Sequence, residues 1–299
     1  MESFFAPVKL NLFLHVTGRR AGGYHLLETV FQLADFGDTV RLAVRADGVI
    51  RRTHAIDGVS EEADLAVRAA KLLKLESGSA LGVDLAVDKR IPMGAGLGGG
   101  SSDAATVLLA LNRRWHLDWS RERLMQIGLK LGADVPFFIF GQNAFATGIG
   151  ERLEAIDLPP RVYVVLRPQV NVQTAAIFGS PELTRNAKSV KIADFSAGAW
   201  AFAKPEFRND LEPVAKAKFP AVQAALAWLG QQDSAASISA RMSGSGACVF
   251  AGFASQAEAE AVFARRPVGP SSGLDAGLGG GLEGFVARSL ARHPLAGFA

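Results

Sequence analysis

Two charged residues stand alone in apolar surroundings. Lys9 lies within Ala6-Pro7-Val8-Lys9-Leu10-Asn11-Leu12-Phe13-Leu14, and Asp134 within Leu131-Gly132-Ala133-Asp134-Val135-Pro136-Phe137-Phe138. Burying either charge is costly unless it is paired, and each could satisfy the other. A carboxylate able to accept a hydroxyl proton, beside a cation able to steady developing charge, is much of what phosphoryl transfer to an alcohol needs. Spacing alone leaves two other readings open: a structural ion pair, or two separately exposed side chains.

A second group points to phosphate. Pro92-Met93-Gly94-Ala95-Gly96-Leu97-Gly98-Gly99-Gly100-Ser101-Ser102-Asp103 follows a strand-like run and leads into Ala104-Ala105-Thr106-Val107-Leu108-Leu109-Ala110-Leu111, a helical pattern. Glycines let backbone approach a ligand closely, and the amides of a first helical turn face an anion, aided by the helix dipole. Ser101 and Ser102 would add hydroxyl donors; Asp103 could be no more than a charge partner in the first turn. No Gly-Lys-Ser/Thr follows, so this is not a Walker loop. The spacing Gly94-x-Gly96-x-x-Gly99 matches a dinucleotide fingerprint, but it begins far from the first strand and lacks the acidic residue about 20 positions on. A plain turn before a capped helix would need fewer glycines and serines.

Two further motifs are weaker. Met242-Ser243-Gly244-Ser245-Gly246-Ala247 is a small-residue loop that a tight turn would also explain. Tyr24-His25 joins one of two tyrosines to one of five histidines. The pair could stack on a nucleobase and read its edge, or be a half-buried aromatic beside a surface imidazole.

Strand-like runs at Lys9–Val16, Thr39–Val44, Val83–Val87, Val162–Leu166 and Ala247–Gly252 must position these groups. Helical patterns are predicted at Glu61–Leu75, after an N-cap at Ser120, from Pro220 to Gly230, after a capping box at Ser255, and at Phe285–Arg292. The irregular alternation, with strands often following one another, predicts α+β. Leu158-Pro159-Pro160 suggests two domains, 1–158 and 159–299. Arg185–Phe202 and Pro267–Gly284 look weakly structured.

Composition bounds the rest. The 299 residues are 49% hydrophobic and 20% charged, with net charge +3 and one cysteine. That supports folded cores. The arginines form only short pairs, which argues against a nucleic-acid partner. No apolar run is long enough to span a bilayer and no leader pattern opens the chain, so a cytoplasmic setting without a membrane is expected. Cys248, in an apolar run, reads as a buried structural thiol. Glycine, at 32 residues, is enriched, and Gly-Leu-Gly-Gly-Gly occurs twice, at Gly96–Gly100 and Gly277–Gly281. Only the first is followed by serines and a strong helix. The second reads as a mobile connector.

In order, Pro7-Val8-Lys9-Leu10-Asn11-Leu12, Pro92–Asp103 and Ser243-Gly244-Ser245-Gly246 resemble the three motifs of the superfamily that holds galactokinase, homoserine kinase, mevalonate kinase and phosphomevalonate kinase. Within it, the run from Lys9 through Arg19-Arg20 and Gly23-Tyr24-His25 to Glu28-Thr29-Val30-Phe31-Gln32 resembles the 4-diphosphocytidyl-2-C-methyl-D-erythritol kinase family. So do Gly132–Phe138, Gly148-Ile149-Gly150-Glu151, Pro181–Asn186 and Arg208–Glu212. The resemblance covers about residues 6–253 and 284–295.

It implies a two-domain small-molecule kinase fold with the site in the cleft between domains. ATP would be the phosphoryl donor, its phosphates on Pro92–Ser102, with Mg2+ carried by those phosphates; the sequence shows no dedicated magnesium-ligand motif. Asp134 would take the proton of the substrate's C2 hydroxyl, and Lys9 would polarise it. The cytosine of a small molecule carrying cytidine diphosphate would stack between Tyr24 and Phe178, with His25 at its edge and Asn11 and Thr174 as further contacts. No obligate protein partner is implied. A homoserine- or mevalonate-type kinase is the alternative. Gly22 stands where this family usually has Asp, and Val8 where alanine is commoner.

Overall fold

The computed structural model describes residues 1–20, 22–190, 207–232, 237–269 and 281–299. Its backbone is an antiparallel hairpin of two long strands, β1 (Glu2–Arg19) and β2 (His25–Arg45). Both were predicted in part from shorter runs, Lys9–Val16 and Thr39–Val44. They extend because both faces are covered over their middle, so even Lys9, Asn11, Thr29 and Gln32 are buried there. Side chains alternate across a strand. Val8, Leu10 and Leu12 enter one apolar cluster with Ile91, Leu97, Tyr163 and Phe250, while Lys9 and Asn11 turn the other way.

One edge of β2 pairs with β1. The other is shared in sequence by three strands. β5 (Ala144–Thr147) meets Thr29–Phe31, β10 (Glu283–Leu290) meets Leu33 and Ala34, and β4 (Gly82–Asp88) meets Thr39–Arg45. β3 (Ile50–Arg52) lies parallel to β4, and β6 (Arg152–Ala155) pairs with β5. Through β10 the sheet continues to β7 (Val162–Arg167), β9 (Val249–Phe253) and β8 (Ile238–Met242). The result is one sheet of ten strands among the described residues.

Helices cover it in two groups. α1 (Leu65–Ser77), α2 (Gly99–Arg114), α3 (Arg121–Leu129) and α4 (Val135–Phe140) bury Leu73, Leu108, Leu124 and Phe137 against Leu33, Val40 and Leu85. α5 (Thr174–Phe178), α6 (Glu212–Lys218), α7 (Pro220–Gly230) and α8 (Gln256–Ala264) pack Ile177, Val214, Leu226 and Ala259 on Val164, Leu166 and Phe253. A fully buried side chain of this kind contributes about 1.5–3 kcal/mol, so each group holds its half of the sheet. The fold class is α+β.

The capping signals appear where the sequence puts them. Ser120 Oγ accepts from Arg123 N, and Ser255 and Glu258 form a capping box. The first helix starts at Leu65 rather than Glu61, because Asp64 Oδ1 accepts from Ala66 N at 2.9 Å and caps it there. Cys248 is fully buried, and burial pushes its thiol up to about 12, so it is no nucleophile at neutral pH. Among the described residues no helix is long and apolar enough to cross a membrane. The second glycine string lies outside the described residues apart from Gly281, as do residues 191–202 of the first weakly structured stretch.

One prediction is corrected. Phe285–Arg292 is not a helix; its first six residues lie in strand β10. The gap between β2 and β7 decides this, since a helix there would leave two sheet edges unpaired. The strand pairs Phe285 with Val165 and Ala287 with Tyr163, and the Phe285 ring stacks on Phe36. Tertiary pairing overrides local pattern here. Gly284 sits so close to β7 that a Cβ would lie 2.1 Å from the Val165 carbonyl oxygen. Gly284→Ala should therefore destabilise the protein by about 1–3 kcal/mol in urea denaturation. Gly297→Ala, where a Cβ meets nothing within 4 Å, should change it little; equal effects would refute the assignment.

Candidate active site

On β1, Lys9 and Asn11 share a face with Thr29 and Phe31 of β2, because Asn11 pairs with Phe31 and Lys9 with Leu33. A polar chain runs along that face. Lys9 Nζ donates to Asn11 Oδ1 at 2.6 Å, Asn11 Nδ2 donates to Thr29 Oγ1 at 3.0 Å, and Thr29 Oγ1 donates to the Phe13 carbonyl. The Phe31 ring lies 5.2 Å from the ammonium, a cation–π distance. Asp134 immediately precedes α4, makes no side-chain capping bond to it, and brings Oδ2 to 3.5 Å from Lys9 Nζ. The Lys9 side chain is 5% exposed and the Asp134 side chain 34%, so the pair shows its acid to the cleft. Asn11 and Asp134 engage two of the three lysine donors, which leaves the third for a ligand.

The glycine loop is clamped between this strand and the Met242–Ala247 loop. Lys9 N donates to Leu97 O at 3.1 Å, and Cys248 N donates to Ala95 O at 3.2 Å. Ser243 Oγ donates to Gly96 O at 3.0 Å. Ala95 and Leu97 bury their side chains in the core, while Gly96 and Gly98 between and after them take φ +75 and +74. An L side chain is strained in that region. At Gly96 it would also meet the Ser243 carbonyl oxygen at 2.1 Å. Gly98 opens α2 without a side-chain cap, so the Gly99, Gly100 and Ser101 amides are those an α-helix leaves without an intrahelical acceptor.

Ser101 lines the cleft, with Gly94, Gly96 and Gly98. Ser102 faces elsewhere. Fully buried, its hydroxyl donates to Pro7 O at 2.7 Å and ties α2 to β1. On its outer side the loop borders a smaller hollow of about 350 Å³, where Pro92 and Met93 meet Ile56, Val59, Ala63 and Leu65. Asp103 pairs with Lys89 at 2.8 Å, and Lys89 also binds Asp38. Asp38 Oδ1 accepts from Arg90 N at 2.6 Å and Ile91 N at 2.7 Å, so this cluster holds the chain just before the loop. Burial pushes the Asp103 carboxyl upward, against the pull of Lys89.

The main cleft, about 760 Å³, runs from Lys9 and Asp134 to Tyr24, His25 and Phe178. Thr174 Oγ1 lies 2.8 Å from Ser245 Oγ, joining α5 to the third glycine loop midway. Asn209 Nδ2 donates to Met242 O at 2.8 Å and Gly244 O at 2.7 Å, which fixes that loop from beneath. At the far end the His25 and Phe178 rings are 5.0 Å apart and tilted by 33°, and Tyr24 stands exposed. Arg185 Nε donates to His25 Nε2 at 3.1 Å. Burial first, then Arg185 and Arg19, pull the His25 imidazole below its ordinary value, so it is neutral at pH 7. Gly22 has open space around it, so the Asp usual at this position would fit.

All the sequence-predicted residues therefore border one cleft or its glycine rim, apart from the Ser102 hydroxyl and the buried side chains of Ala95 and Leu97. Sequence reasoning missed the hollow's apolar wall: Ile56, Val59 and Ala63 lie in turns with no motif, and Leu65 is the first residue of α1. It flagged the runs holding Arg185 and Asn209 without giving either a task.

Comparison with known proteins gives the chain's relatives. The family model described as GHMP kinases N terminal domain matches residues 64–142, and that described as GHMP kinases C terminal matches 196–266. The chain is 52% identical to a 4-diphosphocytidyl-2-C-methyl-D-erythritol kinase of Nitrosomonas europaea, over 100% of both chains. It is 54% identical to one of Thiobacillus denitrificans, over 99% of this chain and 98% of the relative. A crystal structure of 4-(cytidine 5'-diphospho)-2C-methyl-D-erythritol kinase superposes with TM-score 0.76 at 33% identity, covering 96% of this chain and 99% of that one. A homoserine kinase from Cytophaga hutchinsonii, at 18% identity and TM-score 0.67, covers 98% and 96% and shares the fold.

The clamp makes Gly96→Ala a sharp test. A non-glycine left-handed residue costs about 1–2 kcal/mol, and the clash with Ser243 adds to it. The variant should bind an ATP analogue at least tenfold more weakly in calorimetry. Unchanged affinity would mean that the loop's close approach to Ser243 does not shape the nucleotide site.

Proposed function

The chain belongs to the 4-diphosphocytidyl-2-C-methyl-D-erythritol kinase family of the GHMP kinases, and we propose that it transfers the γ-phosphoryl group of ATP to the C2 hydroxyl of that substrate. One observation carries the reading. An acid and a buried lysine meet 3.5 Å apart beside the glycine rim, in a cleft whose far end holds Tyr24, His25 and Phe178.

The phosphates lie on the loop Pro92–Ser102, where the free amides of α2 and its dipole face them. The purine rests against Ile56, Val59, Ala63 and Leu65 in the outer hollow. Asp134 Oδ2 accepts the proton of the C2 hydroxyl as that oxygen bonds to the γ-phosphorus and the bond to the ADP oxygen breaks. Lys9 uses its third donor on the same hydroxyl. Asn11 holds the ammonium in place. Mg2+ carried on the ATP phosphates would neutralise charge on them.

The cytosine is a handle. Between Tyr24 and Phe178, with His25 at its edge, it supplies binding energy that positions a distant hydroxyl. Thr174 holds the middle of the substrate. Residues 1–158 form the nucleotide-binding domain and 159–299 the second domain, a division supported by the two family matches.

Asp134→Asn should lower kcat by roughly 10²–10⁴, the usual worth of a general base, while ATP binds as before. Retained turnover would move the base elsewhere. Lys9→Met should be similarly severe, and a mild effect would leave the pair structural. CDP alone should inhibit competitively against the alcohol substrate, with no such effect expected of a homoserine- or mevalonate-type kinase. Absence of turnover with 4-diphosphocytidyl-2-C-methyl-D-erythritol by folded protein would sink the proposal.

A further inference from the structure

Arg185 makes an unusual set of contacts for a residue outside the reacting centre. Its Nη1 donates to Leu183 O at 3.0 Å, and its Nη2 to Phe178 O at 3.0 Å and Ser180 O at 2.7 Å. These bonds fold the segment after α5 around the guanidinium. A fourth donor, Nε, goes to His25 Nε2 at 3.1 Å, at the start of β2. So one side chain ties together His25 and Phe178, whose rings face each other at 5.0 Å in the same cleft.

The direction of that last bond has a chemical consequence. A guanidinium has five N–H donors and no acceptor. His25 Nε2 must therefore be the accepting, unprotonated nitrogen. In a neutral imidazole the proton then sits on Nδ1. The two cations nearby, Arg185 and Arg19, oppose double protonation. His25 can thus offer a ligand in the cleft a single ring donor, Nδ1–H, and no ring acceptor.

The two common pyrimidines differ where such a donor would land. Cytosine presents N3 as an acceptor, whereas uracil presents N3–H. We infer that Arg185 is a specificity-determining positioning residue: by occupying Nε2 it fixes His25 as an Nδ1–H donor, which selects a cytosine base over a uracil. The inference rests on the cytosine-handle reading above and adds the residue that sets the polarity of the reader. Without Arg185 the ring is free to carry its proton on Nε2, which makes Nδ1 an acceptor suited to uracil. A site that pairs each polar group correctly discriminates because the wrong base leaves one unpaired.

The experiment is calorimetry of the intact wild-type protein and the Arg185→Met variant with CDP and with UDP, together with 15N NMR of the His25 ring. Wild type should show the Nδ1–H tautomer and bind CDP at least tenfold more tightly than UDP. Arg185→Met should show mixed tautomers, lose most of that ratio, and bind an ATP analogue unchanged. Wild type that binds neither diphosphate would sink the cytosine-handle reading itself. Wild type that prefers CDP, with a variant that keeps both the ratio and the tautomer, would overturn the role of Arg185 alone. Should Arg185→Met fail to fold, the wild-type spectrum still decides, since an Nε2–H tautomer contradicts the inference.

Discussion

The register of β1 on β2 is the constraint on which the site depends. A slip of one residue in a strand sends every side chain to the opposite face. Here it would bury the apolar Val8, Leu10 and Leu12 in the cleft and drive Lys9 and Asn11 into a cluster of Phe, Tyr and Leu side chains. Burying an ion without partners costs several kcal/mol even after relaxation, so the register that gives Lys9 its Asn11 and Asp134 partners is the one the chain can hold. Irregularities between Pro7 and Val8 and between Asn11 and Leu14 bracket the functional stretch.

The glycine loop inherits its position from the same strand. Lys9 offers its side chain to Asp134 and its backbone N–H to Leu97 O. One residue thus fixes both the acid and the phosphate cradle. The far side of the loop is fixed by Ser243 and Cys248 from the second half of the sheet. Buried side chains at Ala95 and Leu97 hold the loop rigid, and the glycines beside them let it turn sharply enough to present amides. Of the two glycine strings, the first runs into a helix whose amides need an acceptor, while the second, outside the described residues but for Gly281, precedes strand β10.

Much of this was legible because it rests on local chemistry. The pairing of Lys9 with Asp134 follows from the cost of a lone buried charge, and the caps at Ser120 and Ser255 from side chains that satisfy backbone donors. Illegible features depend on distant partners. The strand at Glu283–Leu290 exists because β2 and β7 leave a slot, which nothing in its own residues announces. The buried hydroxyl of Ser102 looks identical in sequence to that of Ser101; only the helix's rotation against Pro7 separates them. Arg185 belongs to a polar run whose local pattern says surface, and its role appears only once His25 is folded beside it.

The site's two ends set the mechanical demand on the fold. A base bound at His25 can help a hydroxyl react at Asp134 only if the distance between them is fixed, because misplacement by about 1 Å can cost as much as 10²-fold in rate. The long hairpin meets this demand directly. Lys9 and Asn11 lie on β1, and His25 begins β2, whose first residues pair back onto the end of β1 through Arg19. Both ends of the cleft are therefore carried by one pair of hydrogen-bonded strands, covered on both faces. Loops supply the remaining groups, but each loop is pinned to that pair: the glycine loop through Leu97, and Asn209 and Asp210 through Leu14 and Val16. In the proposed reaction, a base held at one end of that pair would set the distance of the hydroxyl from Asp134 at the other.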